Sequence, residues 1–274
     1  MEFVDTPGVA LVTGAAKGIG RGIANALAAA GTNTIIFADN DENGARAPAA
    51  VSKKFATAEN YQSFGWLVDL ADQDGVEISI DYLVNGAVDV AQHTSIPGIA
   101  DYDCVQSINT RGTLLVTQAV VNVMEKQEPR TFKSLTGFER ELGRGCIVNV
   151  VSTLSFTAVP AKVAYIASKH AVLSITKATA QDIAPYFIHC SAICPRWVCT
   201  SMYVAELQIR IRYCIYTISE CAIWAPPVAD FIKAAVPLSR PIGPEEVGDS
   251  VMYLCSPASS YVNRAGLPMH AGIV

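Results

Sequence analysis

Short apolar runs alternate along this chain with longer stretches of helical periodicity. Val9-Ala10-Leu11-Val12-Thr13, Thr34-Ile35-Ile36-Phe37-Ala38-Asp39, residues 63–69, residues 81–85 and Cys146-Ile147-Val148-Asn149-Val150-Val151 have the length and apolar content of buried strands. Residues 187–193 and a weaker run at 267–270 bring the set to seven. Between them, residues 21–30 are rich in Ala and Leu and closed by Gly31, which reads as a helix and its cap. Residues 43–55 read as a second helix despite Pro48. Residues 101–124 carry Val105, Ile108, Gly112, Leu115 and Ala119 on one side of a third. Residues 164–183 form a further helix, stopped by Pro185. Pro244-Glu245-Glu246-Val247 opens the last, with proline in first position and acids in the first turn. This alternation predicts an α/β chain, one doubly wound, mostly parallel sheet within a single domain over residues 1–274.

Three segments fit that scheme less easily. The third and fourth strands are joined by residues 70–80 alone, close to the shortest parallel crossover, so the helix there is expected to be cut to one or two turns. Residues 125–144 are polar, contain Pro129, Gly137 and Gly143, and read as a surface excursion. Residues 200–236 are apolar and resist assignment; their place in the order suits a substrate lid.

Composition narrows the function. The chain is 51% hydrophobic and 16% charged, which suits a well-buried core and argues against disorder. A net charge of −5 without a basic run excludes an evident nucleic-acid surface. The first residues show no basic segment followed by an apolar run. The apolar stretch at 207–225 is broken by Arg210, Arg212 and Glu220, so no membrane partner is expected. The eight cysteines lack paired CxxC spacing, and His93, His170, His189 and His270 share no common spacing. Reduced thiols, no metal site and a cytoplasmic location are the expectation. His170, next to Lys169, should point away from any site.

Candidate chemistry begins directly after the first strand. Gly14-Ala15-Ala16-Lys17-Gly18-Ile19-Gly20 lies between a strand and a helix, the context a phosphate-binding loop requires. Glycine permits the turn and the close approach of a pyrophosphate, and the helix N-terminus favours the anion. Gly14, Lys17, Gly18, Ile19 and Gly20 are therefore candidate cofactor residues; a tight turn without a ligand is the plain alternative. Asp39 ends the second strand at about the distance expected of a ribose-binding carboxylate, roughly 20 residues past the fingerprint. It would accept bonds from the ribose hydroxyls and repel a 2′-phosphate, favouring NAD(H). A turn-forming role before Asn40 and Asp41 is the other reading, and Lys17 could meet the phosphate of NADP(H). Asp69 and Leu70 are placed to touch adenine. Ser152 follows the buried strand ending at Val151. Tyr165 and Lys169, four residues apart on a helix, share one face.

Taken in order, Thr13 to Gly20, Asn109-Thr110-Arg111-Gly112, Ser152, Tyr165-x-x-x-Lys169 and Pro195-x-x-Val198-x-Thr200 resemble the short-chain dehydrogenase/reductases of the single-domain type. The resemblance covers nearly the whole chain. It implies a seven-stranded Rossmann sheet of order 3-2-1-4-5-6-7, a nicotinamide cofactor, carbonyl/alcohol redox chemistry on a small molecule, and frequent homodimers or homotetramers. Asn109, Ser152, Tyr165 and Lys169 are the implied catalytic set. Asn85, Ala87, Pro195, Val198 and Thr200 join the cofactor residues, as do Tyr165 and Lys169. A free tyrosine titrates near pH 10, and lowering that by about 3 units takes roughly 4 kcal/mol. An adjacent ammonium favours the phenolate, so Tyr165 would be the proton donor and acceptor, with Lys169 also holding the nicotinamide ribose. Ser152 would bind the substrate oxygen, and Asn109 a water that leads protons from Lys169 to solvent.

The chain also departs from the family pattern. Gly86 and Val88 stand in Asn85-Gly86-Ala87-Val88, where Asn-Asn-Ala-Gly is usual. Arg196 replaces the glycine of the Pro-Gly pair and is expected beside the nicotinamide amide. These changes suggest a second class of function, a cofactor-binding scaffold or regulator that has lost efficient turnover. Thr153, Leu154, Phe156, Val159, Trp197, Met202 and Tyr203 are the expected substrate wall, suited to a hydrophobic or cyclic substrate.

Overall fold

The computed structural model describes residues 5–67, 79–90, 96–200 and 234–272. Asp69, Leu70, the short third crossover, His93, Met202, Tyr203, the 207–225 stretch and nearly all of the expected lid lie outside the described residues. In chain order the strands are β1 (Val9–Thr13), β2 (Thr34–Asp39), β3 (Gln62–Leu67), β4 (Tyr82–Asn85), β5 (Arg130–Lys133), β6 (Glu139–Gly143), β7 (Gly145–Val150), β8 (Ile188–Pro195) and β9 (Gly266–Met269). The helices are α1 (Gly18–Ala29), α2 (Glu42–Ser52), α3 (Ile99–Gln106), α4 (Thr113–Met124), α5 (Val163–Asp182) and α6 (Pro244–Cys255).

Seven strands form one parallel sheet in the order β3-β2-β1-β4-β7-β8-β9. Counting only those strands, this is the expected 3-2-1-4-5-6-7. β4 and β7 are buried along their whole length, which is why they read as continuous apolar runs rather than alternating ones. One face of the sheet packs Val12, Val84 and Val148 against Ile23 and Leu27 of α1 and Val251 of α6. The opposite face packs Leu83 and Ile147 against Val120 and Met124 of α4 and Ile183 after α5. Each such side chain contributes about 1.5–3 kcal/mol through burial. The strand order reverses between β1 and β4, so the loops after these strands open a crevice at the carboxyl edge.

Two elements differ from the sequence reading. Residues 125–144 contain an antiparallel hairpin, β5 with β6, turning at Gly137. It is pinned to the sheet: Arg130 Nη1 donates to Tyr82 Oη at 2.7 Å and lies 3.5 Å from the Asp81 carboxylate. Gln127 spans from Ile80 to the Arg144 carbonyl. Its strands read as polar because both mix exposed and half-buried positions outside the main sheet.

The long helix at 101–124 is interrupted by a π-helical turn, Ser107–Gly112, between α3 and α4. A π turn accommodates an extra residue, so the buried face shifts by about one position. Downstream of it, Thr113, Thr117, Val120 and Met124 are buried, while Ala119, expected inside, is exposed. Asn109, absent from the expected apolar stripe, becomes buried within the turn.

Candidate active site

The glycine loop closes against the loop after β4. Gly14 has φ +67, and a side chain there would stand 2.7 Å from the Ala87 nitrogen, so both conformation and space demand glycine. Thr13 Oγ1 accepts from the Gly86 and Ala87 nitrogens at 3.1 and 3.2 Å. A side chain at position 86 would lie 2.6 Å from the Thr13 carbonyl oxygen. Gly86 is thus compatible with tight closure, although the resemblance led one to expect asparagine. Gly18 (φ +58) faces Thr200, whose Cγ2 lies 3.4 Å from where a side chain would begin. Lys17 is exposed and occupies the N-cap of α1, and no side chain caps that helix among the described residues. Ile19, half-buried, packs onto the core beside it. These features fit a dinucleotide: the free amides of the α1 N-terminus lie under a glycine turn, between β1 and the segment carrying Thr200.

Asp39 ends β2 beside this loop. Its Oδ2 accepts from the Ala16 nitrogen at 3.0 Å and its Oδ1 from the Asp41 nitrogen at 3.2 Å. The carboxylate therefore organises the glycine turn as well as the adjacent turn, with lone pairs to spare for a diol. Of the two sequence readings of Asp39, these bonds display the turn-forming one.

Ser152 follows β7, and its Oγ accepts the Leu154 amide at 3.1 Å, which leaves the hydroxyl proton to donate elsewhere. Ser152 is buried, at the carboxyl edge of the sheet. Tyr165 and Lys169 lie on the first two turns of α5, with Lys169 Nζ 5.5 Å from the Tyr165 ring centroid. Lys162 Nζ lies 5.8 Å from the same ring. Lys169 is almost fully buried and donates to the Val150 carbonyl at 3.0 Å. Burial pushes its ammonium down to about 8, opposed weakly by the nearby Cys194. His170 is exposed and turns back to the Ile166 carbonyl, as expected.

Asn109 reaches the site through the π turn. Its Oδ1 accepts from the Asp89 nitrogen at 2.7 Å, and its Nδ2 donates to the Asp89 carbonyl at 2.9 Å and to Ser168 Oγ at 3.0 Å. Asn109 thus clips the loop after β4 to α5, one residue before Lys169. Asn85 is buried at the end of β4, where its Nδ2 reaches Thr117 and Asn149. Sequence reasoning passed over Asn149, Asp89, Ser168 and Thr13 as site-forming residues. For Asn149 a signal existed, one amide in an otherwise apolar strand.

Beyond Pro195 the chain makes a parallel bridge between Val198 and Ile242. With Trp197, Arg196 lines a cleft formed by residues 236–242 and 268–271. Phe156, another expected wall residue, is half exposed and stands 3.6 Å from where a side chain on Gly266 would begin. Among the described residues no helix is long and apolar enough to cross a membrane.

Residues 8–208 match the short chain dehydrogenase family. A short-chain dehydrogenase of Penicillium roqueforti is 34% identical over 278 residues, 97% of this chain and 95% of its own length. Another, of Aspergillus ruber, is 34% identical over 282 residues, 98% and 97% of the two chains. The crystal structure of an actinorhodin polyketide ketoreductase variant with NADPH aligns with a TM-score of 0.77 at 27% identity, over 97% of each chain. Similarity of this extent, over nearly the whole length of each chain, makes the chain a member of the short-chain dehydrogenase family, oxidoreductases built on a Rossmann sheet.

Proposed function

We propose that this protein is a nicotinamide-dependent oxidoreductase that interconverts a ketone and a secondary alcohol, with Tyr165 as proton donor and acceptor. The observation that carries this reading is the buried Lys169 ammonium one turn from Tyr165, 5.5 Å from its ring. When bound, the nicotinamide cofactor supplies or accepts the hydride. In reduction the Tyr165 phenol gives its proton to the carbonyl oxygen; in oxidation the phenolate takes the hydroxyl proton. Lys169 favours the phenolate by charge in a site where water screens poorly. Ser152 donates its free hydroxyl proton to the same substrate oxygen and stabilises negative charge there. Asn109 positions the loop after β4 and, with the second lone pair of Oδ1, holds the water that leads protons from Lys169 outward.

Gly14, Gly18, Gly20 and the α1 N-terminus would hold the pyrophosphate, with Ile19 and Lys17 flanking it, and Asp39 the adenosine ribose. Asp69 and Leu70 would meet the adenine, and Asn85, Ala87, Pro195, Val198 and Thr200 the nicotinamide half. Asp39 favours NAD(H) over NADP(H), since a 2′-phosphate would meet a carboxylate. The substrate is a hydrophobic or cyclic carbonyl compound, and the active form is a homodimer or homotetramer in the cytoplasm. The test is cofactor oxidation by wild type and Tyr165→Phe over a panel of ketones. A variant that binds cofactor but turns over at least a hundredfold more slowly supports the assignment. Equal kcat in the two proteins refutes it. Cofactor binding without turnover of any panel member favours a non-catalytic scaffold.

A further inference from the structure

Arg196 and Trp197 line a cleft of about 260 Å³ at the carboxyl ends of β8 and β9. It shares no lining residue with the glycine loop or with Asn109, Ser152, Tyr165 and Lys169. Its walls are mainly apolar, including Val236, Leu238, Ile242 and Met269. Two guanidinium groups face it, and they differ in one respect. Arg240 is satisfied: it makes a bidentate pair with Glu246 at 2.6 and 2.7 Å. Arg196 has no carboxylate partner among the described residues, and its Nε is buried without a hydrogen-bond acceptor. Its guanidinium lies 4.8 Å from the Trp197 ring. That stacking orients the plane but leaves Nε without an acceptor.

A buried, unanswered donor on a charged group costs at least about 1–3 kcal/mol, and a planar fork of donors matches a carboxylate in bidentate geometry. We propose that the cleft binds a small amphipathic carboxylate, its carboxyl group on Arg196 and its apolar body against Leu238, Ile242 and Met269. The volume equals roughly nine waters at about 30 Å³ each, which suits a monocyclic or short aliphatic acid. One cation without a carboxylate partner among the described residues, set among apolar walls, calls for a monoanion with an apolar body rather than a compact dianion such as phosphate. The occupied cleft would also touch the strap that carries Val198 and Thr200. Ile242 donates to the Trp197 carbonyl and accepts from the Cys199 nitrogen, both at 2.8 Å.

The experiment is calorimetric titration of the full chain with benzoate and hexanoate, beside benzamide, hexanamide and inorganic phosphate. Wild type should bind a carboxylate at least tenfold more tightly than its amide, and Arg196→Gln should remove that preference. Leu238→Trp, at a position 64% exposed and therefore tolerant of substitution, should fill the cleft and weaken both carboxylate and amide at least tenfold. Ser152→Ala should leave the preference intact, which separates this cleft from the substrate site. Equal binding of acid and amide, tighter binding of phosphate, or a preference lost in Ser152→Ala but kept in Arg196→Gln overturns the proposal. Should Arg196→Gln fail to fold, unchanged binding to Leu238→Trp overturns it alone.

Discussion

Asn85 on β4 and Asn149 on β7 meet across the centre of the sheet, joined by a 2.8 Å hydrogen bond from Asn85 Nδ2 to Asn149 Oδ1. The pair is extended at both ends, from Asn85 to Thr117 at 3.1 Å and from Asn149 to Thr176 at 2.8 Å. A polar chain thus ties α4, two central strands and α5 together beneath the site. All four residues are buried. Asn149→Leu would strand the Asn85 and Thr176 groups in an apolar interior. We expect a loss of about 2–4 kcal/mol, read as a thermal midpoint roughly 4–10 °C lower. A midpoint within a degree of wild type would mean that the chain of amides contributes little.

Lys169 makes stability depend on alkaline pH. Burial lowers its folded value to about 8 from 10.5. Between those two values the unfolded chain binds more protons than the folded one, so this group's contribution rises with pH through the window. Below pH 8 the folded protein bears the whole cost of a buried ammonium, about 3 kcal/mol. Lys169→Met removes that cost but strands the Val150 carbonyl, worth about 1 kcal/mol. The cofactor-free variant should therefore be about 2 kcal/mol more stable at pH 7, with the gain shrinking by pH 10. Denaturant melts at the two pH values check this, and a gain independent of pH would contradict it.

Ser152→Ala removes the donor expected to meet the substrate oxygen while leaving β7 and the short turn after it in place. Loss of one such donor costs about 10²–10³ in kcat. Cofactor affinity should hold, because the proposed contact of Ser152 is with the substrate. Steady-state kinetics beside a direct cofactor titration separate the two. A large loss of cofactor binding would move Ser152 out of its assigned role.

Asp39→Ala should weaken NADH binding by about tenfold and shift preference toward NADPH, as measured by fluorescence titration with both cofactors. Since Asp39 also accepts the Ala16 amide, Asp39→Asn provides a partial control: its one amide oxygen can still accept from Ala16, though not from Asp41 as well, and it lacks the charge. Wild type that prefers NADPH would remove the argument from this carboxylate.

The sheet could be read from the sequence because buried parallel strands are continuous apolar runs. β1 and β2 fall where the apolar pattern placed them, and the strand order follows once the helices between them are recognised. Asn109 shows where periodicity fails. Helical spacing placed Ile108 inside, but a π turn shifted the register and buried an amide instead. The β5–β6 hairpin escaped because its stability comes from single anchors such as Arg130 on Tyr82, not from an apolar face. Arg196 escaped differently. Its motif position pointed to the cofactor, and its stacking on the Trp197 ring was not foreseen. Pairwise side-chain geometry of this kind leaves no trace in a linear pattern.

The turn around Asn109 also bears on how this protein could change its length. Shortening Ser107–Gly112 by one residue would let α3 and α4 merge into a single regular α-helix. Such a chain would gain helical regularity and rotate Asn109 off the Asp89 main chain by roughly 100°. The irregular turn is therefore where fold stability and site assembly pull in opposite directions. A deletion there could leave a protein that melts later and works worse.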